Sequence, residues 1–186
     1  MTLTRKSRAH ITIEPVKREE LPELADLAAR SFVDAFGADM DEEDLRQSLA
    51  ENRSVAYFER ALDTSTIWIA KEAGKIVGYV QFGAVLIPEV KAGKTDRELG
   101  RLYVDTVHQG RGIGRQLLNA ALAEGSMARA AHVYLQVWDQ NPKALALYES
   151  YGFETVGVTT FELAGKPAQD LIMVRFRVKT RGRLAG

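Results

Sequence analysis

HQGRGIGRQLL, residues 108–118, places glycine at 110, 112 and 114, directly ahead of a stretch that reads as a helix. Glycine at a helix start either makes a tight turn or lets a large group approach bare main-chain N–H groups. In the second case the visitor is ordinarily an anion, drawn by unpaired donors and the helix dipole. Upstream, LGRLYVD (99–105) reads as a strand. Downstream, RQLLNAALAEG (115–125) carries Leu117, Leu118, Ala121 and Leu122 as a buried stripe. The glycines therefore join a strand to a helix.

Spacing separates the phosphate-binding devices that such a joint could be. A dinucleotide fingerprint, G-x-G-x-x-G, requires glycine where Arg115 stands. A G-x-x-x-x-G-K-[ST] loop fails outright, because no Gly-Lys-Ser or Gly-Lys-Thr occurs. What remains is Gln109-Gly110-Arg111-Gly112-Ile113-Gly114, which fits Q/R-x-x-G-x-G/A. In it, side-chain-free positions would point successive N–H groups at a pyrophosphate, with Arg111 or Arg115 nearby.

Around this joint the chain alternates between two periodicities. HITIEP (10–15) reads as a strand. EELPELADLAARSFVDAF (19–36) repeats Leu21, Leu24, Leu27, Ala28 and Phe32 at helical spacing, with Gly37 as a stop. A second helix is expected over DEEDLRQSLAENRSVAYFERAL (41–62), open to a break around Asn52–Ser54. TIWIAKEAGKIVGYVQF (66–82) reads as a hairpin, and IPEVKAGKTDRE (87–98) as a loop. HVYLQVW (132–138) is a strand. NPKALALYESYG (141–152) is a helix with Asn141 as N-cap, Pro142 in the first turn and Gly152 past the end. FETVGVTTFEL (153–163) and DLIMVRFRV (170–178) are closing strands around the loop AGKPAQ. The expected fold is α/β (α+β): a mixed, mostly antiparallel sheet of six to seven strands flanked by about four helices. It forms one domain over 10–178 between flexible tails at 1–9 and 179–186.

Composition narrows the function classes. With 186 residues, 46% apolar and 27% charged, the chain is long enough for a real core. Lys plus Arg balances Asp plus Glu at 25 each, so no global field favours nucleic acid or an anionic membrane. Cysteine is absent, which removes disulfides, thiolate metal sites and a cysteine nucleophile together. His10, His108 and His132 lack any paired metal-ligand spacing, so no metal is expected. No apolar run approaches the roughly 18 residues of a membrane span, and the basic start has no signal core after it. The expected location is cytoplasmic.

The hexapeptide at 109–114 resembles the coenzyme A loop of the GCN5-related N-acetyltransferases, the GNAT superfamily. The resemblance continues in Asn141-Pro142-Lys143-Ala144-Leu145-Ala146-Leu147-Tyr148, ending Tyr151-Gly152-Phe153, which is similar to the family's N-x-x-A-x-x-x-Y-x-x-x-G-F segment. The order of elements is also similar, so the likeness spans about residues 10–178. FGADMDEEDLRQSL, RLYV and TTFELAGKPAQDLIM look like the PaiA-like polyamine acetyltransferase branch.

This resemblance implies an acetyl-CoA-dependent enzyme that moves an acetyl group directly to a primary amine in a ternary complex, a polyamine such as spermidine or spermine being one acceptor. It implies a bulge near Gly100 that parts two parallel strands near Val104 and Val137. The pantetheine arm would lie there on the main chain of Leu102, Tyr103 and Val104. Gln109, Gly110, Arg111, Gly112, Ile113, Gly114 and Arg115 would hold the pyrophosphate. Asn141 reads both as N-cap and as cofactor contact. The expected partner is a small amine, with neither nucleic acid nor membrane, and the enzyme is a monomer or homodimer. Other acceptors, such as peptide N-termini, and a non-catalytic acyl-CoA-binding regulator are the alternatives.

The chemistry asks for two proton-handling groups. An alkyl ammonium titrates near pKa ~10, so a base must take its proton at neutral pH. Glu98, at the start of the strand leading to the loop, is the candidate; otherwise it is a solvated strand-edge carboxylate. The departing thiolate needs a proton donor, and Tyr148 matches the family's acid; its helical spacing with Ala144, Leu145 and Tyr151 also suits core packing. The run DMDEED (39–44) reads either as a docking patch for a polycation or as an acidic helix start. Tyr57, Phe58, Trp68 and Tyr79 read as an acceptor slot or as core. His108 reads as a turn residue without a role.

Overall fold

The computed structural model describes residues 10–163 and 166–177. The expected tails at 1–9 and 179–186 lie outside the described residues. In chain order the elements are β1 (Ile11–Pro15), α1 (Leu21–Phe36), α2 (Glu42–Asn52), α3 (Val55–Ala61), β2 (Ser65–Glu72), β3 (Lys75–Gly83) and β4 (Arg97–Val104). There follow α4 (Ile113–Ala123), α5 (Gly125–Ala128), β5 (His132–Trp138), α6 (Pro142–Glu149), β6 (Glu154–Leu163) and β7 (Lys166–Phe176). The seven strands form one mixed sheet in the order β1-β2-β3-β4-β5-β7-β6. β1 pairs antiparallel with β2, and β7 lies antiparallel between β5 and β6. β4 and β5 are parallel, with Arg97 opposite Val133 and Glu98 opposite Tyr134.

The second helix breaks where the sequence left it open to do so: Arg53 leaves helical geometry at φ −141°, and Ser54 starts α3 by accepting the Tyr57 N–H on its hydroxyl at 3.2 Å. Two further boundaries differ from the sequence reading, each for a local reason. α5 is a single extra turn, capped by the Glu124 carboxylate, which accepts from Ser126 and Met127 N–H. The loop expected at 164–169 is partly strand, because the β6–β7 register continues through Thr160–Gln169, Phe161–Ala168 and Glu162–Pro167. Pro167 donates no ladder bond, which a strand near its end tolerates.

By their contacts the described residues group into two compact units, 10–82 with Arg101–Leu122, and Gly83–Gly100 with 123–163 and 166–177. The first is built around α1, whose Leu21, Leu24, Ala25, Leu27 and Ala28 meet Phe58 and Ala61 of α3 and Ile67, Ile69, Ile76 and Tyr79 of the β2–β3 hairpin. Helical and alternating periodicities thus bury one stripe and one sheet face together, each fully buried Leu or Ile contributing about 1.5 to 3 kcal/mol. The hairpin turns through Ala73 and Gly74 at φ 49° and 80°, the primed geometry whose twist matches the strands. Gly78 lets β3 and β4 come close, since a Cβ there would lie 2.9 Å from the Tyr103 carbonyl oxygen. α4 buries Ile113, Leu117, Leu118 and Ala121, whereas Leu122 is half-buried.

The second unit alternates along β5, burying Val133, Leu135 and Val137, with Leu135 opposite Met173 of β7. Asp96, buried before β4, accepts from the Gly93 N–H at 2.8 Å and meets His132 Nδ1 at 2.9 Å, anchoring the loop that precedes the strand.

Candidate active site

β4 ends at Val104, and the Gln109 side-chain amide turns back to donate to the Val104 carbonyl at 3.2 Å, strapping the strand exit to the glycine segment. Gly110 and Gly112 take φ +73° and +80°, which side-chain-bearing residues rarely adopt, and nothing lies within 4 Å of where either Cβ would stand. This is an exposed strand-to-helix loop with room over its main chain. α4 follows at Ile113, and the Gln116 N–H closes onto the Gly112 carbonyl at 3.1 Å. Donors at the very start of a helix have no earlier turn to bond, so this stretch suits an anion with several oxygens.

The loop arginine is already engaged. Arg111 forms a two-pronged pair with Glu72 at the end of β2, one arm at 3.0 Å, and His108 Nε2 stands 3.3 Å from the same carboxylate. Arg111 beside it, helped by His108, holds the Glu72 carboxyl below the usual carboxylate range against the effect of burial. His108, read from sequence as a turn residue without a role, also lies 3.6 Å from Asp105 through Nδ1. The Glu72 partner was invisible in the sequence because 39 residues separate it from Arg111.

Leu102, Tyr103 and Val104 lie in β4 within the first unit, together with the loop Gln109–Arg115. Their side chains are half-buried. Glu98, Asn141 and Tyr148 belong to the second unit. Glu98 is the second residue of β4, with the Leu86 N–H donating to its Oε2 at 2.5 Å. Burial pushes its carboxyl above the ordinary range, opposed by the N–H groups of Leu86 and Ile87. That is the direction a base working near neutral pH requires. Tyr148 is buried in α6, its ring edge-on to Phe153 at 5.8 Å between centroids. Asn141 caps α6, its Oδ1 accepting the Ala144 N–H at 3.1 Å, which uses the oxygen and keeps the amide donors.

Asp41 caps α2, accepting the Asp44 N–H at 2.9 Å, while exposed Glu43 pairs with Arg46, so the acidic run starts a helix. The Asp39 side chain lies outside the described residues. Phe58 and Tyr79 are core, and half-buried Tyr57 hydrogen-bonds Gln81. Trp68 is half-buried in β2. No group of His, Cys, Asp and Glu among the described residues is arranged to hold a metal ion. None of the described helices is long and apolar enough to cross a membrane.

An N-alpha-acetyltransferase RimI of Mycobacterium tuberculosis is 40% identical over 92 residues, 48% of this chain and 52% of that one. A spermine/spermidine N(1)-acetyltransferase of Bacillus subtilis is 31% identical over 91 residues, 47% of this chain and 59% of that one. The chain thus aligns with little more than half of either relative. A PaiA N-acetyltransferase of Thermoplasma acidophilum, solved in complex with coenzyme A, superposes with a TM-score of 0.71 over 90% of this chain and 99% of that one, at 20% identity, a likeness of fold. Residues 21–153 match the model of the Acetyltransferase (GNAT) family. That stretch holds the whole of β4, the glycine loop and α6, and the chain belongs to the GNAT family of acetyltransferases.

Proposed function

We propose that the protein transfers an acetyl group from acetyl-CoA to the nitrogen of a primary amine, directly and without an acetyl-enzyme. The observation that carries this reading is the glycine loop, two left-handed glycines opening onto α4 at the end of a central strand. The Gly110–Gly114 main chain and the start of α4, with Arg115 in its first turn, hold the pyrophosphate, Leu102–Val104 bind the acyl arm, and Asn141 is a further cofactor contact. When bound, acetyl-CoA supplies a thioester whose carbonyl carbon accepts the amine: the C–N bond forms as the C–S bond breaks. Glu98 takes the proton that the ammonium must lose, Tyr148 gives one to the sulfur, and the second proton that the nitrogen sheds as the amide forms restores the phenol.

The acceptor is an amine. One relative is named for spermine and spermidine and another for N-alpha acetylation. A polyamine acceptor rests on the first of these and on the PaiA fold neighbour. In the chain itself, the acidic run that would favour a polycation serves as the start of α2.

The test is calorimetric. Gly112→Asp puts a carboxylate and a strained Cβ into the pyrophosphate cradle, and should abolish acetyl-CoA binding in a protein whose circular dichroism is unchanged. Binding at the wild-type level would remove the loop from the site. Release of CoA thiol with an amine panel then separates an enzyme from a protein that binds acetyl-CoA without turnover.

A further inference from the structure

Between α2 and β4 the first unit holds two half-buried guanidiniums, Arg53 and Arg101. Arg53 lies over the Phe32 ring at 3.5 Å and donates to Ser48, at 3.2 Å to the hydroxyl. Arg101 lies over the Tyr57 ring at 4.4 Å and donates to the Asn52 carbonyl at 2.6 Å. Among the described residues no carboxylate stands within ion-pairing distance of either. Burial pulls the Arg53 guanidinium down, and the positive charge of Arg101 adds to it. The polar neighbours are phenols, Tyr79 and Tyr103, whose rings stack at 5.7 Å. Burial pushes the Tyr79 phenol up, so it offers the guanidiniums no negative charge at neutral pH.

Half-buried Arg97 likewise donates to backbone carbonyls, those of Lys94 and Asp96, whereas other cations of the chain are paired. Lys71 is met by Glu14 and Glu20, and Arg111 by Glu72. Two like charges drawn out of water disfavour the fold unless an anion offsets them. Aromatic faces and backbone carbonyls hold both guanidiniums in place, and neither support neutralises charge. Arg101 also immediately precedes Leu102–Val104, the stretch of β4 assigned to the acyl arm. An anion on Arg101 therefore sits beside the reacting end of the donor.

We propose that Arg53 and Arg101 form a carboxylate subsite for the acceptor, so that the preferred substrate is a small amine carrying its own carboxylate a few bonds from the nitrogen, the amino-acid class, and not a polycation. This rests on the acetyltransferase reading above and narrows its acceptor. The guanidinium fork matches a carboxylate's two oxygens. A spermidine ammonium in the same place would meet two like charges.

The experiment compares each amino acid, α- and ω-amino alike, with its carboxamide, and both with spermidine, by CoA thiol release in the wild-type enzyme. The amide removes the charge and lowers the amine's pKa, which by itself favours the amide. At least one acid should exceed its amide in kcat/KM by roughly ten- to a hundredfold. Arg101→Gln should raise KM for that acid and bring the ratio towards one, with acetyl-CoA affinity within about twofold of wild type. Arg101→Lys, which keeps the charge and loses the fork, should fall between. Spermidine or the amides outperforming every acid overturns the proposal, as does an Arg101→Gln protein that loses acetyl-CoA affinity and keeps the acid-to-amide ratio. Should Arg101→Gln fail to fold, the wild-type acid-to-amide ratio decides alone. Absence of acetyl-CoA binding by the wild type would instead overturn the acetyltransferase reading, and this subsite with it.

Discussion

Glu98 holds its proton above the usual carboxylate range because burial disfavours its charge more than the Leu86 and Ile87 N–H groups favour it. As the acceptor's base it works only when deprotonated, so kcat/KM should climb with pH along a limb centred above the ordinary glutamate value of about 4.3. Glu98→Gln should erase that limb and lower kcat about a hundredfold or more, which a pH–rate series would read directly. The stability linkage has the opposite sign. A raised folded pKa favours the neutral form, so that stabilisation is present at acid pH and is lost as pH rises through the folded value. The amide variant should therefore be at least as stable as wild type to urea at neutral pH. Tyr148 offers a narrower change: Tyr148→Phe keeps the ring against Phe153 and removes the hydroxyl. Most acetyl-CoA affinity should persist while kcat falls about 10- to 1000-fold. An unchanged kcat would make Tyr148 a packing residue.

β1 is a five-residue strand at the end of the sheet order, and its pairing with β2 is reinforced by one lysine. Lys71 reaches Glu14 of β1 at 2.6 Å and also Glu20 just ahead of α1; the two hydrogen bonds push its ammonium up to about 12. Lys71→Met should lower unfolding free energy by about 1 to 3 kcal/mol at neutral pH in urea melts, by leaving two carboxylates without their shared partner. At element level the sequence was readily legible. The break between α2 and α3, the hairpin and the Asn141 cap all follow from local rules of capping and alternation, which need only neighbours in the chain. The Gly110–Gly114 loop was legible for the same reason: one hexapeptide carries its backbone demand. Pairings across long stretches were not. Glu72 with Arg111, Asp96 with His132, and Arg101 over Tyr57 depend on which elements pack together. In DMDEED one string of charges permits two uses, and only the Asp41–Asp44 bond shows the helix start.

A chain without cysteine has no thiol to carry an acetyl group between donor and acceptor. Incubating the whole protein with acetyl-CoA alone should leave its intact mass unchanged, and initial rates against both substrates should give intersecting lines. An acetylated species that disappears on adding amine would speak for a covalent route. The division into two compact units has a spectroscopic consequence. The chain has two tryptophans, Trp68 in β2 and Trp138 in β5, and each unit contains one. Excited at the red edge of indole absorption, where tyrosine does not absorb, a Trp68→Phe protein emits only from the second unit, and a Trp138→Phe protein only from the first. Intrinsic fluorescence thus resolves one denaturation into two separately addressed reports, without any attached dye.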